Sequence, residues 1–227
     1  MHARTREQPR WARRKEARPA ELLVAALELF SERGYAATRL DDVAKRAGVS
    51  KGTVYLYYSS KEELFKAVIR EGLVPVLERG EKMVAEHRGS TADLIRSLIH
   101  GWWESIGSTP YAGITKLMIS ECRNFPELGS FYVEEVITRG HTLVRKALRR
   151  GIDRGELRPL ESEYATRLVF APLVLHVIWR YSFDFCGAGR LDPQIYIEQH
   201  LDILLRGLLN TPAERLRKAS TRLKGGR

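Results

Sequence analysis

Apolar residues recur at three- and four-residue spacing along almost all of the 227-residue chain, and nowhere is there a convincing alternating run or an Asn-Gly hairpin. That spacing predicts an all-α fold, because a helix brings every third or fourth side chain to one face whereas a half-buried strand needs every second one. Hydrophobic residues at 44% and charged residues at 29% exclude disorder of the whole chain. The length exceeds one domain of roughly 100 to 200 residues and falls short of two, so a small module plus a medium domain is expected.

Helix start and stop signals place the module first. Pro19 is placed to open a helix that carries Leu22, Leu23, Ala26, Leu27 and Phe30 and stops at Gly34, since glycine takes the left-handed cap conformation without a Cβ penalty. A short second helix runs from about Arg39 to Ala47 behind Thr38, with Asp41 and Asp42 in its first turn. Gly48 breaks it, and Ser50 caps a third helix through Tyr57. Ser60 caps a long fourth helix containing Leu64, Phe65, Val68 and Ile69, which Pro75 kinks or ends. Turn signals then divide the rest into helical segments at about 91–106, 110–123, 127–150, 161–185 and 192–209. The expected organisation is a basic disordered arm over 1–18, a module over 19–66, a larger helical domain over 67–210 and a basic tail over 211–227.

The segment from Thr38 to Lys61, TRLDDVAKRAGVSKGTVYLYYSSK, thus holds two short helices joined by a glycine turn, the geometry of a DNA-binding helix-turn-helix. In such a unit the second helix enters the major groove N-terminus first while the first crosses the backbone. Lys51, Gly52, Thr53 and Tyr55 form the leading edge and are the expected base readers. Lysine donates to guanine acceptors or phosphate, the Thr53 hydroxyl serves either, its methyl meets a thymine methyl, and Gly52 admits a close backbone approach. Thr38, Arg39, Tyr57 and Lys61 lie at the rim as expected phosphate ligands, which set register and salt-sensitive affinity without reading sequence. Six basic residues against two acidic ones between Arg33 and Lys61 suit that contact. Val54 and Tyr58 are assigned to the core.

These residues resemble the TetR/AcrR family of regulators. The resemblance covers about Pro19 to Ile69 in order: Phe30-x3-Gly34-Tyr35, Thr38, Asp42-Val43-Ala44, Ala47-Gly48-Val49-Ser50-Lys51-Gly52-Thr53-Val54-Tyr55, then Ser60-Lys61-Glu62. The family often has histidine and phenylalanine where this chain has Tyr57 and Tyr58; Tyr57 keeps a donor for phosphate but not a positive charge. Members are all-helical homodimers, usually repressors, whose larger C-terminal domain binds a small effector and pairs through its last two long helices. The resemblance implies the same here: a cytoplasmic bacterial homodimer on a palindromic or near-palindromic double-stranded DNA operator, released by a small hydrophobic or aromatic effector. Half-sites would lie about one helical turn, roughly 34 Å, apart.

For the larger domain, the helix from Ser162 to Phe185 carries apolar residues on nearly every face and is expected to be buried on all sides. With Tyr196, Leu201, Leu204, Leu205 and Leu208 of the next helix it is the candidate dimer seam, internal core being the alternative. Trp102, Trp103, Tyr111, Met118, Phe125, Phe170, His176 and Trp179 are the candidate effector contacts, since pockets are mostly apolar with a few polar anchors.

The net charge of +10 resides at the ends: seven basic against two acidic residues in 1–18, and six against one in 211–227, with the 192 residues between them neutral. Such ends suit an anionic polymer or simply aid solubility. Cys122 and Cys186 form no CxxC pair, and the six histidines have no zinc spacing. With no phosphate-binding loop or nucleophile motif either, no cofactor, metal or catalytic role is expected. No apolar stretch precedes Glu21, so no secretory signal is expected, and the longest apolar run, Leu168 to Trp179, has 12 residues against the roughly 20 that cross a bilayer, so no membrane partner is expected. Two other readings stay open on sequence alone: a sequence-indifferent DNA binder driven by the basic ends, and a helical enzyme or lipid-binding domain with the helix-turn-helix as a bystander.

Overall fold

The computed structural model describes residues 10–187 and 191–210, with side chains from residue 19 onward. The chain divides into two compact units between Glu71 and Gly72. The fold is all-α: among the described residues the only pairing outside helices and turns is a single antiparallel bridge between Leu157 and Leu209.

The first unit opens with α1 (Arg10–Ala37), which begins nine residues before the Pro19 start expected from sequence. Pro19 therefore lies inside a helix, where it forgoes one backbone hydrogen bond. The arginine-, alanine- and lysine-rich stretch ahead of it is made of good helix formers, which carries the helix back through the segment expected as a disordered arm. The first nine residues of that arm and the tail over 211–227 lie outside the described residues. At the other end Gly34 takes φ +80° and breaks the helical path, so the last residues to Ala37 form a separate turn. Then come α2 (Leu40–Arg46), α3 (Lys51–Tyr57) and α4 (Lys61–Gly72). Gly48, between α2 and α3, has φ +66° and is exposed with open space around it, so the backbone conformation alone calls for glycine there. Ser50 Oγ accepts from the Thr53 amide at the start of α3. Ser60 Oγ likewise accepts from the Glu63 amide while the Glu63 carboxylate accepts from Ser59. The core is an aromatic cluster, Phe30 edge-on to Phe65 with Tyr35 against both, surrounded by Leu22, Val43, Val54, Leu64 and Ile69.

The second unit holds α5 (Val74–Glu86), α6 (Thr91–Trp102), α7 (Tyr111–Glu121), α8 (Pro126–Tyr132), α9 (Arg139–Asp153), α10 (Ser162–Phe183) and α11 (Pro193–Leu208). Pro75 occupies the first turn of α5, where its missing N–H costs nothing, so it starts a helix after α4 has ended at Gly72. Two π-helical turns interrupt the regular ladder, Trp103–Gly107 after α6 and Val133–Thr138 between α8 and α9, dividing segments that the spacing predicts as single helices. Leu94, Ile99, Leu148, Leu173, Val177 and Leu201, from α6, α9, α10 and α11, form the centre of the core.

The last two helices differ from expectation in which faces they bury. Thr166, Val169, Leu173, His176 and Val177 turn α10 toward the core, yet Tyr164, Leu168, Leu175, Trp179 and Phe183 remain exposed along its other side. By length and composition this helix could also cross a membrane, but the core helix of a soluble protein passes the same test. On α11 the leucines assigned to a seam, Leu201, Leu205 and Leu208, are buried within the unit, with Leu204 and Tyr196 half-buried; the exposed apolar residues are Ile195 and Ile203. Ile197, Leu201, Leu205 and Leu208 recur at helical spacing on one side, so the sequence locates the apolar face but not whether it packs within the unit or against a second copy.

Candidate nucleic-acid interface and effector cavity

The glycine turn presents α3 with one side turned inward by Val54, which is fully buried, and the opposite side exposed. Lys51, Gly52 and Tyr55 are exposed and Thr53 half-exposed, so the four expected base readers share the accessible side. Lys51 pairs with Asp41 of α2 at 2.9 Å and lies over the Tyr55 ring at 5.8 Å. The Asp41 carboxylate beside it raises the lysine pKa, so its charge is secure at neutral pH. That exposed pair is weak and open to exchange for a stronger anion. Leu56 is 74% exposed beside Tyr55, an apolar side chain left in solvent on the reading helix. Helical periodicity could have found it, because a residue two positions after Val54 lies on the opposite side of the helix.

At the rim, Arg39 is the N-cap of α2 with an exposed side chain, and Arg39 and Lys45 have no acidic partner among the described residues. Lys45 was not singled out from sequence; its place in the last turn of α2 beside the exposed face of the head is what suggests it. Arg46, by contrast, is tied to Glu28 and Glu32 at 2.8 and 2.9 Å, an ion-pair network joining α2 to α1. Lys61 donates to the Tyr35 carbonyl at 2.7 Å and the Ala36 carbonyl at 3.2 Å and stands over the Tyr35 ring at 4.3 Å. Tyr57 is half-buried at the end of α3, and Tyr58 is half-buried too, with its phenol pKa pushed up by that burial and then by Glu71.

Thr38 departs from its expected role as a phosphate ligand. It is 1% exposed, and its hydroxyl donates to the Gly34 carbonyl at 2.7 Å and the Leu29 carbonyl at 3.2 Å. The kink at Gly34 turns the chain so that Thr38 points back at the end of α1, where its hydroxyl satisfies the Gly34 carbonyl while its own amide, the regular helical partner of that carbonyl, donates to the Tyr35 carbonyl instead.

In the second unit a cavity of about 600 Å³ opens between α5, α6, α7, α9 and α10, with both π-helical turns in its wall. Leu77, Leu98, Ile119, Val136 and Val144 give it a predominantly apolar surface. Arg79, Glu104, His141 and Arg167 supply the charged and titratable positions; burial, then the neighbouring Arg167, holds the His141 pKa below its usual value. Of the eight candidate effector contacts, Trp102 and Phe170 are in this wall, their rings 5.6 Å apart.

The other six lie elsewhere. Trp103 is buried against His176, which stacks on Tyr196 at 4.6 Å; burial, with Arg180 nearby, lowers the His176 pKa. Met118 is buried within α7, and Tyr111 and Phe125 are half-buried at helix starts. Trp179 is on the exposed side of α10 against Phe183. A core aromatic and a pocket aromatic have the same spacing in sequence, and only the packing separates them. No group of histidine, cysteine and carboxylate side chains suited to a metal occurs among the described residues.

Residues 22–68 match the sequence profile of bacterial regulatory proteins of the tetR family, and residues 85–182 that of a tetracyclin repressor-like C-terminal domain. The chain is 32% identical to the HTH-type transcriptional regulator YfiR of Bacillus subtilis over 150 residues, 65% of this chain and 71% of that protein. It is 28% identical to the HTH-type transcriptional repressor KstR2 of Rhodococcus jostii over 196 residues, 86% of this chain and 92% of that one. Its fold matches that of the transcriptional regulator FadR from Bacillus subtilis, solved in complex with stearoyl-CoA, with a TM-score of 0.70 at 24% identity, covering 83% of this chain and 98% of FadR. A matching reading head, a matching C-terminal domain and relatives that are regulators rather than enzymes agree: the chain belongs to the tetR family of DNA-binding transcriptional regulators.

Proposed function

We propose that this regulator is a homodimeric repressor in the bacterial cytoplasm that leaves a palindromic or near-palindromic operator when an apolar, acyl-chain-sized effector fills the cavity. The observation that carries this reading is the 600 Å³ cavity itself, whose wall is made only of residues between Leu73 and Val174, all outside the helix-turn-helix. A volume of that size in a protein interior is far beyond ordinary packing voids and is typical of ligand sites. Relatives support the ligand class and the sign: FadR was solved with stearoyl-CoA, and KstR2 is a repressor.

On DNA, Lys51, Gly52, Thr53 and Tyr55 read bases, joined by Leu56 against thymine methyl groups, while Arg39, Lys45, Tyr57 and Lys61 bind phosphates. Thr38 supports them from inside. The exposed apolar sides of α10 and α11, with Leu168, Leu175 and Trp179 on one and Ile195 and Ile203 on the other, pair with the same surface of a second copy, since a contiguous apolar patch in water calls for a partner. The effector binds more tightly to a dimer whose two α3 helices do not match the half-site spacing, and so lowers the population able to dock.

In vitro selection from random duplex DNA tests the first half: an enriched inverted repeat is expected, and recovery of no motif would sink the proposal. Adding stearoyl-CoA to the selected complex tests the second half. Release of the DNA at concentrations that also raise the protein's melting temperature is expected, and a stabilised protein that stays bound would refute effector-driven release.

A further inference from the structure

Thr115 on α7 and Tyr132 at the end of α8 both line the cavity, are 8% and 7% exposed, and place their hydroxyl oxygens 3.3 Å apart. A third buried hydroxyl in the wall, on Thr166, is accounted for, because it donates to the Ser162 carbonyl one turn back at 2.6 Å. The Thr115 and Tyr132 pair is not. Each hydroxyl carries one proton. Their mutual hydrogen bond uses one of the two, and whichever group donates, the other proton has no acceptor among the described residues. Burial pushes the Tyr132 pKa above its usual value, so the phenol keeps its proton at physiological pH. A spare donor in an apolar wall is costly unless the occupant brings an acceptor.

We propose that Thr115 and Tyr132 form a specificity-determining subsite, and that the effector is an apolar molecule bearing an acceptor oxygen, a ketone, ester-type carbonyl or hydroxyl, on its apolar body. The pair holds that oxygen by the one spare proton, and its lone pairs receive a ligand hydroxyl. It does not suit a carboxylate or phosphate, since two neutral hydroxyls offer no charge, and the arginines of the wall, Arg79 and Arg167, are both exposed instead. The inference rests on the cavity being the effector site.

The test is calorimetric titration of the full chain with stearate and with 9-, 10- and 12-oxostearate, repeated on a Thr115→Val, Tyr132→Phe double variant of nearly the same shape. At least one oxo isomer is expected to bind the unmodified protein about three- to tenfold more tightly than stearate, the range of one neutral hydrogen bond. In the double variant the difference is expected to shrink to within about twofold, since both hydroxyls, and with them the spare donor, are gone. Equal affinity for stearate and every oxo isomer overturns the subsite, as does a preference that survives in the double variant. Binding of none of these probes overturns the cavity reading itself. A thermal melt shows whether the double variant folds, and if it does not, the single variants Thr115→Val and Tyr132→Phe carry the same comparison, a preference undiminished in both overturning the subsite.

Discussion

Thr38 and Thr53 show how differently one residue type is used within fifteen positions. Thr38 Oγ1 is buried on two carbonyls, so Thr38→Val is expected to lower stability by about 1–2 kcal/mol, with the salt dependence of DNA binding unchanged. Chemical denaturation and an operator titration at several salt concentrations check both parts. Thr53 is partly exposed on α3 with its hydroxyl 2.9 Å from Ser50 Oγ. Thr53→Ala or Tyr55→Ala is expected to weaken operator binding by about 1–3 kcal/mol while the melting temperature moves little; unchanged operator affinity would remove both from the base readers. His176 is a third case. Its pKa is lowered by burial and by Arg180, so the folded protein holds the neutral form more strongly than the unfolded chain. The stability this contributes is fully present above the unfolded value of about 6.5 and is lost as pH falls below it toward the folded value. His176→Phe, which keeps the stack on Tyr196, is expected to flatten the fall in melting temperature between pH 7 and pH 5 relative to the unmodified protein. Sequence placed Thr53 on the accessible side of its helix because Ser50 and Gly48 fix the start of α3. It could not place Thr38, whose direction depends on the φ of Gly34 four residues earlier.

Among the elements, the short helices were the most legible. α2 and α3 are bounded by a positive-φ glycine and a serine cap, and such local signals need no tertiary partner to act. Gly48→Ala meets no atom within 4 Å, so its expected cost of about 1–2 kcal/mol is the backbone penalty alone, measurable as a shift in the unfolding midpoint. The boundaries of α6, α8 and α9 were less legible, because a π turn adds a residue without any breaker in the sequence. The faces of α10 were not legible, since both of its sides are apolar, and on α11 the sequence located an apolar face without telling what it packs against. A charge on the exposed side separates the alternatives. Leu175→Glu is expected to shift the protein from dimer to monomer in sedimentation and to weaken operator binding, whereas an unchanged sedimentation coefficient would move the dimer contact elsewhere.

For the whole molecule, the consequence of interest is a regulator whose cavity can be closed without touching its reading head. Gly101 lies on α6 in the cavity wall, and a Cβ there meets nothing within 4 Å. Gly101→Leu is therefore expected to project into the cavity, to abolish stabilisation by stearoyl-CoA, and to leave operator affinity intact, giving a DNA-bound regulator that no longer responds. The substitution also removes a helix-interior glycine, worth about 1 kcal/mol, so the unliganded protein is not expected to melt earlier. Loss of operator binding in this variant would mean that the cavity wall and the DNA-competent state are the same structure. By itself the sequence determined the helical class, the order of the helices, the glycine turn and the residues presented by α3, because periodicity, caps and positive-φ glycines act over a few residues. Only the tertiary structure decided that Thr38 faces inward, that Trp102 and Phe170 but not Trp103 or His176 meet the cavity, and that α11 buries Ile197, Leu201, Leu205 and Leu208 and exposes Ile195 and Ile203. Those outcomes depend on which of two chemically similar faces finds a neighbour, and that is settled by packing between residues far apart in the chain.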